Sequence, residues 1–233
     1  MRVFGKGFNF SQDGPGNRLV YHLSGCNMRC IWCSNPDGME MTAGSEYTVD
    51  DIVAEAVSCR PMFFDGGGVT FTGGEATLQY AQLNEILCRL QEAGIHTALE
   101  TNATHERLPE LAEHIDYLIM DFKHDDSDVL KRYTGVGNET VKRNFERFCD
   151  SGRQLHVRIP LINGINADRP DSFAQYFAAH DTANVVFEFL AYHEYGKAKW
   201  KTPYQVQNGF VTPEQLRAFR DAFAQYGLHV VNT

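Results

Sequence analysis

The sequence predicts an α/β protein built on a parallel sheet. Strand-like apolar runs alternate with amphipathic helical runs along most of the chain. Several strand runs are apolar almost throughout, as in parallel strands covered on both faces. Cysteines, glycines and charged residues recur just beyond these strands, the edge where parallel sheets and barrels bind ligands. The strand runs are Arg18–Ser24, Gly68–Thr72, His96–Thr101, Tyr117–Phe122, Leu155–Pro160 and Val185–Leu190, with a further run at Leu228–Val231. Helices are expected over Thr48–Arg60, Leu78–Ala93, Leu108–His114, Asn138–Ser151, Pro170–His180 and Thr212–Gly227. Thr48-x-x-Asp51 resembles a capping box, and Thr212-Pro213-Glu214-Gln215 supplies a cap with proline at the first helical position. These units are too few for an eight-stranded barrel, leaving a partial barrel or a doubly wound open sheet.

The chain has 233 residues, one large domain or two small ones on a prior of roughly 100–200 residues each. No linker-like stretch divides it. Hydrophobic residues make up 43% and charged residues 22%, the balance of a globular protein rather than a disordered one. A net charge of −9 argues against nucleic acid or an anionic membrane as partner. No apolar run reaches the ~18–20 residues of a membrane span, and the start lacks a signal-like stretch, so a cytoplasmic protein is expected.

Of the six cysteines, Cys59, Cys88 and Cys149 are scattered and read as small buried hydrophobes. Cys26, Cys30 and Cys33 follow the first strand with Cys-x3-Cys-x2-Cys spacing. Three thiolates this close converge on a soft metal centre. An iron–sulfur cluster usually takes four cysteines, so three would leave one iron open to an outside ligand. The other reading is a zinc knot with His22 as fourth ligand, although zinc motifs more often use paired Cys-x2-Cys units.

Gly73-Gly74-Glu75 closes the second strand. Paired glycines allow close approach to the backbone, their N–H groups can bind a small polar group, and the Glu75 carboxylate can receive an ammonium. Taken alone, Gly-Gly after a strand is usually just a turn. Glu100 and Asn102 end the third strand, Asp121 and Lys123 the fourth and Arg158 the fifth, while Tyr192 and His193 follow the sixth. Any one of these could be a solvated strand end or a buried ion pair. Together they mark one ligand-binding edge.

Asp13-Gly-Pro-Gly16, the cysteine motif through Pro36, Gly66–Glu75, Glu100-Thr-Asn102, Met120-Asp-Phe-Lys123 and Tyr192–Trp200 together resemble the glycyl radical enzyme activating enzymes of the radical S-adenosylmethionine (SAM) superfamily. Most similar is the short pyruvate formate-lyase activating type. The interval Ser34–Thr72 contains only Cys59, so the ferredoxin-like insert of many relatives is absent. The resemblance implies a partial (β/α)6 barrel and a single radical SAM domain over 1–233.

It further implies a 4Fe–4S cluster on Cys26, Cys30 and Cys33. SAM would chelate the open iron and, on reduction, yield a 5′-deoxyadenosyl radical that abstracts a hydrogen atom from a glycine of a partner enzyme. By position, Gly73, Gly74 and Glu75 would bind the methionine amino end. Lys123 and Arg158 would meet the anionic parts of SAM, and Asp121 and His193 would line it. Trp32 and Ser34 would touch it beside Cys33, and Glu100 and Asn102 belong to the same cofactor site. Glu100, Thr101 and Asp121 would donate oxygens to a monovalent cation, and Asp13 would lie near the docked glycine loop.

The implied partners are pyruvate formate-lyase or a related lyase, and a flavodoxin or ferredoxin as reductant, with the chain a monomer. Glu100 stands where the family has Asp, Ala103 where it has Gly and Ser34 where His is frequent. The extra methylene of Glu100 puts the cation site in doubt. Competing readings are a small-molecule substrate, an anaerobic ribonucleotide reductase as partner, or a non-catalytic iron–sulfur or zinc protein.

Overall fold

The computed structural model describes residues 1–10 and 12–231. The chain forms two compact units, each made of three stretches of sequence. One comprises Met1–Asn27, Asn35–Thr101 and His105–Ile119; the other comprises Met28–Ser34, Asn102–Thr104 and Met120–Thr233.

The first unit holds β1 (Arg2–Phe10), β2 (Asn17–Leu23), β3 (Ser45–Glu46), β4 (Gly68–Gly73), β5 (Thr97–Thr101) and the start of β6 (Tyr117–Asp121), in the order β3-β1-β2-β4-β5-β6. β2, β4 and β5 are parallel, whereas β1 runs antiparallel to β2. The sequence reading missed β1. Gly5 and Gly7 break its pattern, and pairing with β2 and β3 organises it. The helices are α1 (Val49–Ser58), α2 (Tyr80–Glu92) and α3 (Leu108–Ala112). Thr48 and Asp51 form the expected capping box.

Tyr21 stacks on Phe71 at 5.6 Å, and its hydroxyl donates to Glu55 of α1 at 2.6 Å. That fixes the helix-facing side of β2 and β4. Strand alternation then places His22, Thr70 and Thr72 on the opposite face. Behind the strands the packing is aliphatic: Leu83, Ile86, Leu87 and Leu90 of α2 are fully buried.

The second unit holds the end of β6, β7 (Leu155–Leu161) and β8 (Val185–Ala191), in that order. Its helices are α4 (Ser127–Thr134), α5 (Glu139–Ser151), α6 (Pro170–Ala178) and α7 (Pro213–Gln225). Thr212 and Gln215 cap α7 as expected. The sequence reading also missed α4. It is short and polar, and rests on Asp126, whose carboxylate accepts from the N–H groups of Asp128 and Val129. The expected run at Leu228–Val231 shrinks to one parallel bridge between Phe187 and Val230. The core is phenylalanine-rich: Phe177 lies 4.8 Å from Phe122, 5.1 Å from Phe145 and 4.7 Å from Phe187. Among the described residues no helix is long and apolar enough to cross a membrane.

Candidate active site

In the first unit the chain leaves β2 through Ser24 and Gly25. The Gly25 N–H donates to Gly38 at 2.8 Å and the Cys26 N–H to Met39 at 3.0 Å, so backbone bonds hold the start of the cysteine motif. In the second unit the rest of the motif lies against the end of α4. The Arg29 N–H donates to Thr134 at 2.7 Å, the Ile31 N–H to Tyr133 at 3.2 Å and the Cys33 N–H to Cys30 at 3.0 Å. Trp32 is buried with its ring 6.4 Å from Tyr133. Cys30 is buried, and Cys26 and Cys33 are half-buried.

The segment after β8 folds over this loop. Trp200 Nε1 donates to the Cys33 carbonyl at 3.0 Å, and Lys199 Nζ to the Ser34 carbonyl at 3.2 Å. Gly196 sits so close that a Cβ there would lie 2.5 Å from the Ser34 Cα, a reason for glycine that the sequence alone did not reveal. Among the described residues no three His, Cys, Asp or Glu side chains form a set that could hold a metal ion. A cubane cluster asks for less convergence, because each thiolate binds a different iron. The three thiols of the Cys-x3-Cys-x2-Cys motif supply that donor set.

Gly73-Gly74-Glu75 departs from expectation in one respect. One of the glycine N–H groups expected to meet a ligand is committed to the chain: Gly74 N–H donates to Leu23 at 2.9 Å, and the next, Glu75 N–H, to Gly25 at 2.7 Å. The close approach that the glycines permit is to backbone. A Cβ on Gly74 would lie 2.2 Å from the Gly25 carbonyl oxygen. Glu75 is 1% exposed, and its Oε1 accepts from the Thr77 N–H at 3.0 Å, Thr77 Oγ1 at 2.6 Å and Thr101 Oγ1 at 2.7 Å. The carboxylate thus caps the turn Ala76–Gln79 and joins it to β5. Thr72 Oγ1 donates to Glu100 Oε2 at 2.9 Å.

In the second unit Asn102 closes a turn, its Oδ1 accepting from the Thr104 N–H at 3.1 Å and Thr104 Oγ1 at 2.7 Å. Ala103 takes a left-handed φ of 57°, the conformation suited to the family's glycine. Lys123 Nζ donates to Asp121 Oδ2 at 2.5 Å. Arg158 lies mid-strand in β7 rather than at its end, because the strand continues to Leu161. Its Nε donates to Glu188 Oε2 at 2.7 Å, and His156 Nε2 lies 2.9 Å from the same oxygen. Glu188 was not singled out from the sequence; the signal was a carboxylate inside the apolar run Val185–Leu190, where burial demands a partner. His193 stacks on Tyr195 at 4.2 Å, and burial lowers its pKa below the usual imidazole value.

Asp13 stands apart from the strand-end set. Its carboxylate accepts from Asn9 Nδ2, and its carbonyl accepts from Thr70 Oγ1 at 2.7 Å, in the first half of β4. The three oxygen donors expected for a monovalent cation all have protein partners: Thr72 for Glu100, Glu75 for Thr101 and Lys123 for Asp121.

Residues 20–177 match the family described as the radical SAM superfamily. The chain is 34% identical over 226 residues to the pyruvate formate-lyase-activating enzyme of Staphylococcus epidermidis, covering 91% of this chain and 89% of that protein. This chain belongs to the radical SAM superfamily, among the activating enzymes of glycyl radical enzymes. A crystal structure of a domain of pyruvate-formate lyase-activating enzyme from Bacteroides vulgatus superposes with a TM-score of 0.59 at 32% identity, covering 71% of this chain and 98% of that one. Streptococcus suis SuiB bound to its precursor peptide SuiA superposes with a TM-score of 0.68 at 15% identity, over 91% of this chain and 47% of that one. The radical SAM match contains every expected site residue except Asp13 and His193, which lie outside its limits. The fold is the partial α/β barrel of this superfamily.

Proposed function

We propose that this radical SAM activase works on pyruvate formate-lyase or a closely related lyase, as a single domain without a ferredoxin-like insert. Cys26, Cys30 and Cys33 would hold a 4Fe–4S cluster. The observation that carries the reading is the cysteine loop, whose backbone is fixed by Met39, Tyr133, Thr134 and Trp200. When bound, the cluster and SAM supply a 5′-deoxyadenosyl radical that takes a hydrogen atom from the partner's glycine.

The protein's share is binding, orientation and exclusion of water. With the Gly74 N–H committed, the Gly73 and Gly74 carbonyls would accept from the methionine amino group. Glu75 holds their turn in place rather than receiving the ligand directly. Lys123 and Arg158 would donate to the anionic parts of SAM, Asp121, Asn102 and Glu100 would shape its pocket, and Trp32, Ser34 and His193 would flank it. Asp13 would meet the partner's glycine segment. A flavodoxin or ferredoxin would supply the electron, and the chain would act as a monomer.

The test is anaerobic. Wild type and Cys30→Ala are reconstituted with iron and sulfide, reduced and given SAM, and 5′-deoxyadenosine is measured. Cleavage by wild type alone is the expected result. Addition of pyruvate formate-lyase should then produce a glycyl radical signal in electron paramagnetic resonance. A cluster-loaded wild type that binds no SAM would overturn the site assignment, and cleavage with no glycyl radical would overturn the partner.

A further inference from the structure

The second unit carries two cations on or beside its strands, and each has its own acid. Lys123 Nζ lies 2.5 Å from Asp121 Oδ2. Arg158 Nε lies 2.7 Å from Glu188 Oε2, and His156 Nε2 shares that oxygen at 2.9 Å. Arg158 and Glu188 are directly opposite in the β7–β8 register, so the ladder itself fixes the pair. Their side chains are 9% and 3% exposed. Phe187 and Phe189 point at the phenylalanines of α6 and α7. Alternation therefore puts Glu188, and Arg158 opposite it, on the other face of the strands.

A buried ion pair seldom stabilises a fold more than an apolar pair of similar volume. The ligand gives this one a purpose. SAM combines a sulfonium with a single carboxylate, and its amino nitrogen, when it chelates iron, carries no charge. A site offering two uncompensated cations would attract the carboxylate and repel the sulfonium. We propose that Glu188 is a positioning residue that cancels the charge of Arg158, letting the guanidinium donate hydrogen bonds to SAM without repelling its sulfonium. Asp121 does the same for Lys123. The inference rests on the assignment of Arg158 to the SAM site.

S-adenosylhomocysteine separates charge from shape, because it keeps the amino acid and nucleoside but has a neutral thioether. Binding of both ligands to the reconstituted enzyme is measured by anaerobic equilibrium dialysis for wild type, Glu188→Gln, Arg158→Gln and the double variant, with thermal melts reporting folding. Glu188→Gln should weaken SAM roughly five- to tenfold and leave S-adenosylhomocysteine within about twofold. The double variant should return the ratio of the two affinities towards wild type. Should Glu188→Gln fail to fold, Arg158→Gln against the double variant reads the same carboxylate charge: SAM preference should be higher in the single variant. Equal weakening of both ligands in Glu188→Gln would overturn the proposal and leave Glu188 a scaffold residue. An unchanged Glu188→Gln beside an Arg158→Gln that loses SAM would overturn it while sparing the site assignment. No effect of either residue on either ligand would overturn the assignment of Arg158 itself.

Discussion

In the first unit the polar groups beyond β4 and β5 are tied together by neutral donors. Thr77 and Thr101 hold Glu75, Thr72 holds Glu100, and backbone carbonyls take the N–H groups of Gly74 and Glu75. The second unit meets charge with charge, in Asp121–Lys123 and Arg158–Glu188. The cores differ as well, with aliphatic helix packing in the first and interlocked phenylalanines in the second. The first arrangement builds a rigid turn whose shape matters. The second holds each cation beside a carboxylate that balances its charge. Substitutions in the first unit should therefore act through shape, and those at the ion pairs of the second through charge.

The sharpest contrast is between the cores. Phe177→Ala removes a fully buried ring that meets five others and should cost about 3–5 kcal/mol. Leu87→Ala, in the aliphatic core, should lie towards the lower part of the ~2–5 kcal/mol range for its type. Urea unfolding of both variants measures the difference, and equal costs would erase the contrast.

Gly74→Ala tests whether the first unit's turn is a matter of shape. The added Cβ would meet the Gly25 and Gly38 carbonyl oxygens at 2.2 and 2.7 Å, with only backbone to yield. A loss of about 1–3 kcal/mol is expected, together with lower iron content after reconstitution, because Gly25 precedes Cys26. Iron retention equal to wild type would separate the turn from the cysteine loop.

Asp125 extends the charge-based arrangement to the second unit's helices. Burial raises its pKa, but hydrogen bonds from His124, Ser172 and Arg169 outweigh that and hold the carboxyl well below the usual aspartate range. Its contribution is then present above the unfolded value of about 3.9 and lost as pH falls through the lower folded value. Asp125→Asn should cost about 1–2 kcal/mol at pH 7. The gap from wild type should close in acid, below pH ~4. A gap that persists unchanged in acid would show that packing, not charge, holds these helices.

Ala103→Gly should have the smallest effect. It relieves a left-handed φ but gives up a buried methyl, so stability should change by less than about 1 kcal/mol. SAM affinity should be unchanged, and a large gain in affinity would mean that the loop after β5 is strained against the ligand.

Much of this was legible in the sequence because it is local. The caps at Thr48 and Thr212, the helical spacing of Leu83, Ile86, Leu87 and Leu90, and the cysteine spacing depend on residues a few positions apart. β1 was hidden because glycines carry no side-chain period, and α4 because eight polar-rich residues make too weak a pattern. The sequence by itself determined the parallel α/β class, the family and the residues that can carry the chemistry, since side-chain type and local periodicity are written along the chain. Only the tertiary structure decided the partners. It gave Glu75 to Thr101, Glu188 to Arg158 and Trp200 to the Cys33 carbonyl, across gaps of 26, 30 and 167 residues. Strand register and chain crossing bring such groups together, and no local rule encodes which buried charge will meet which.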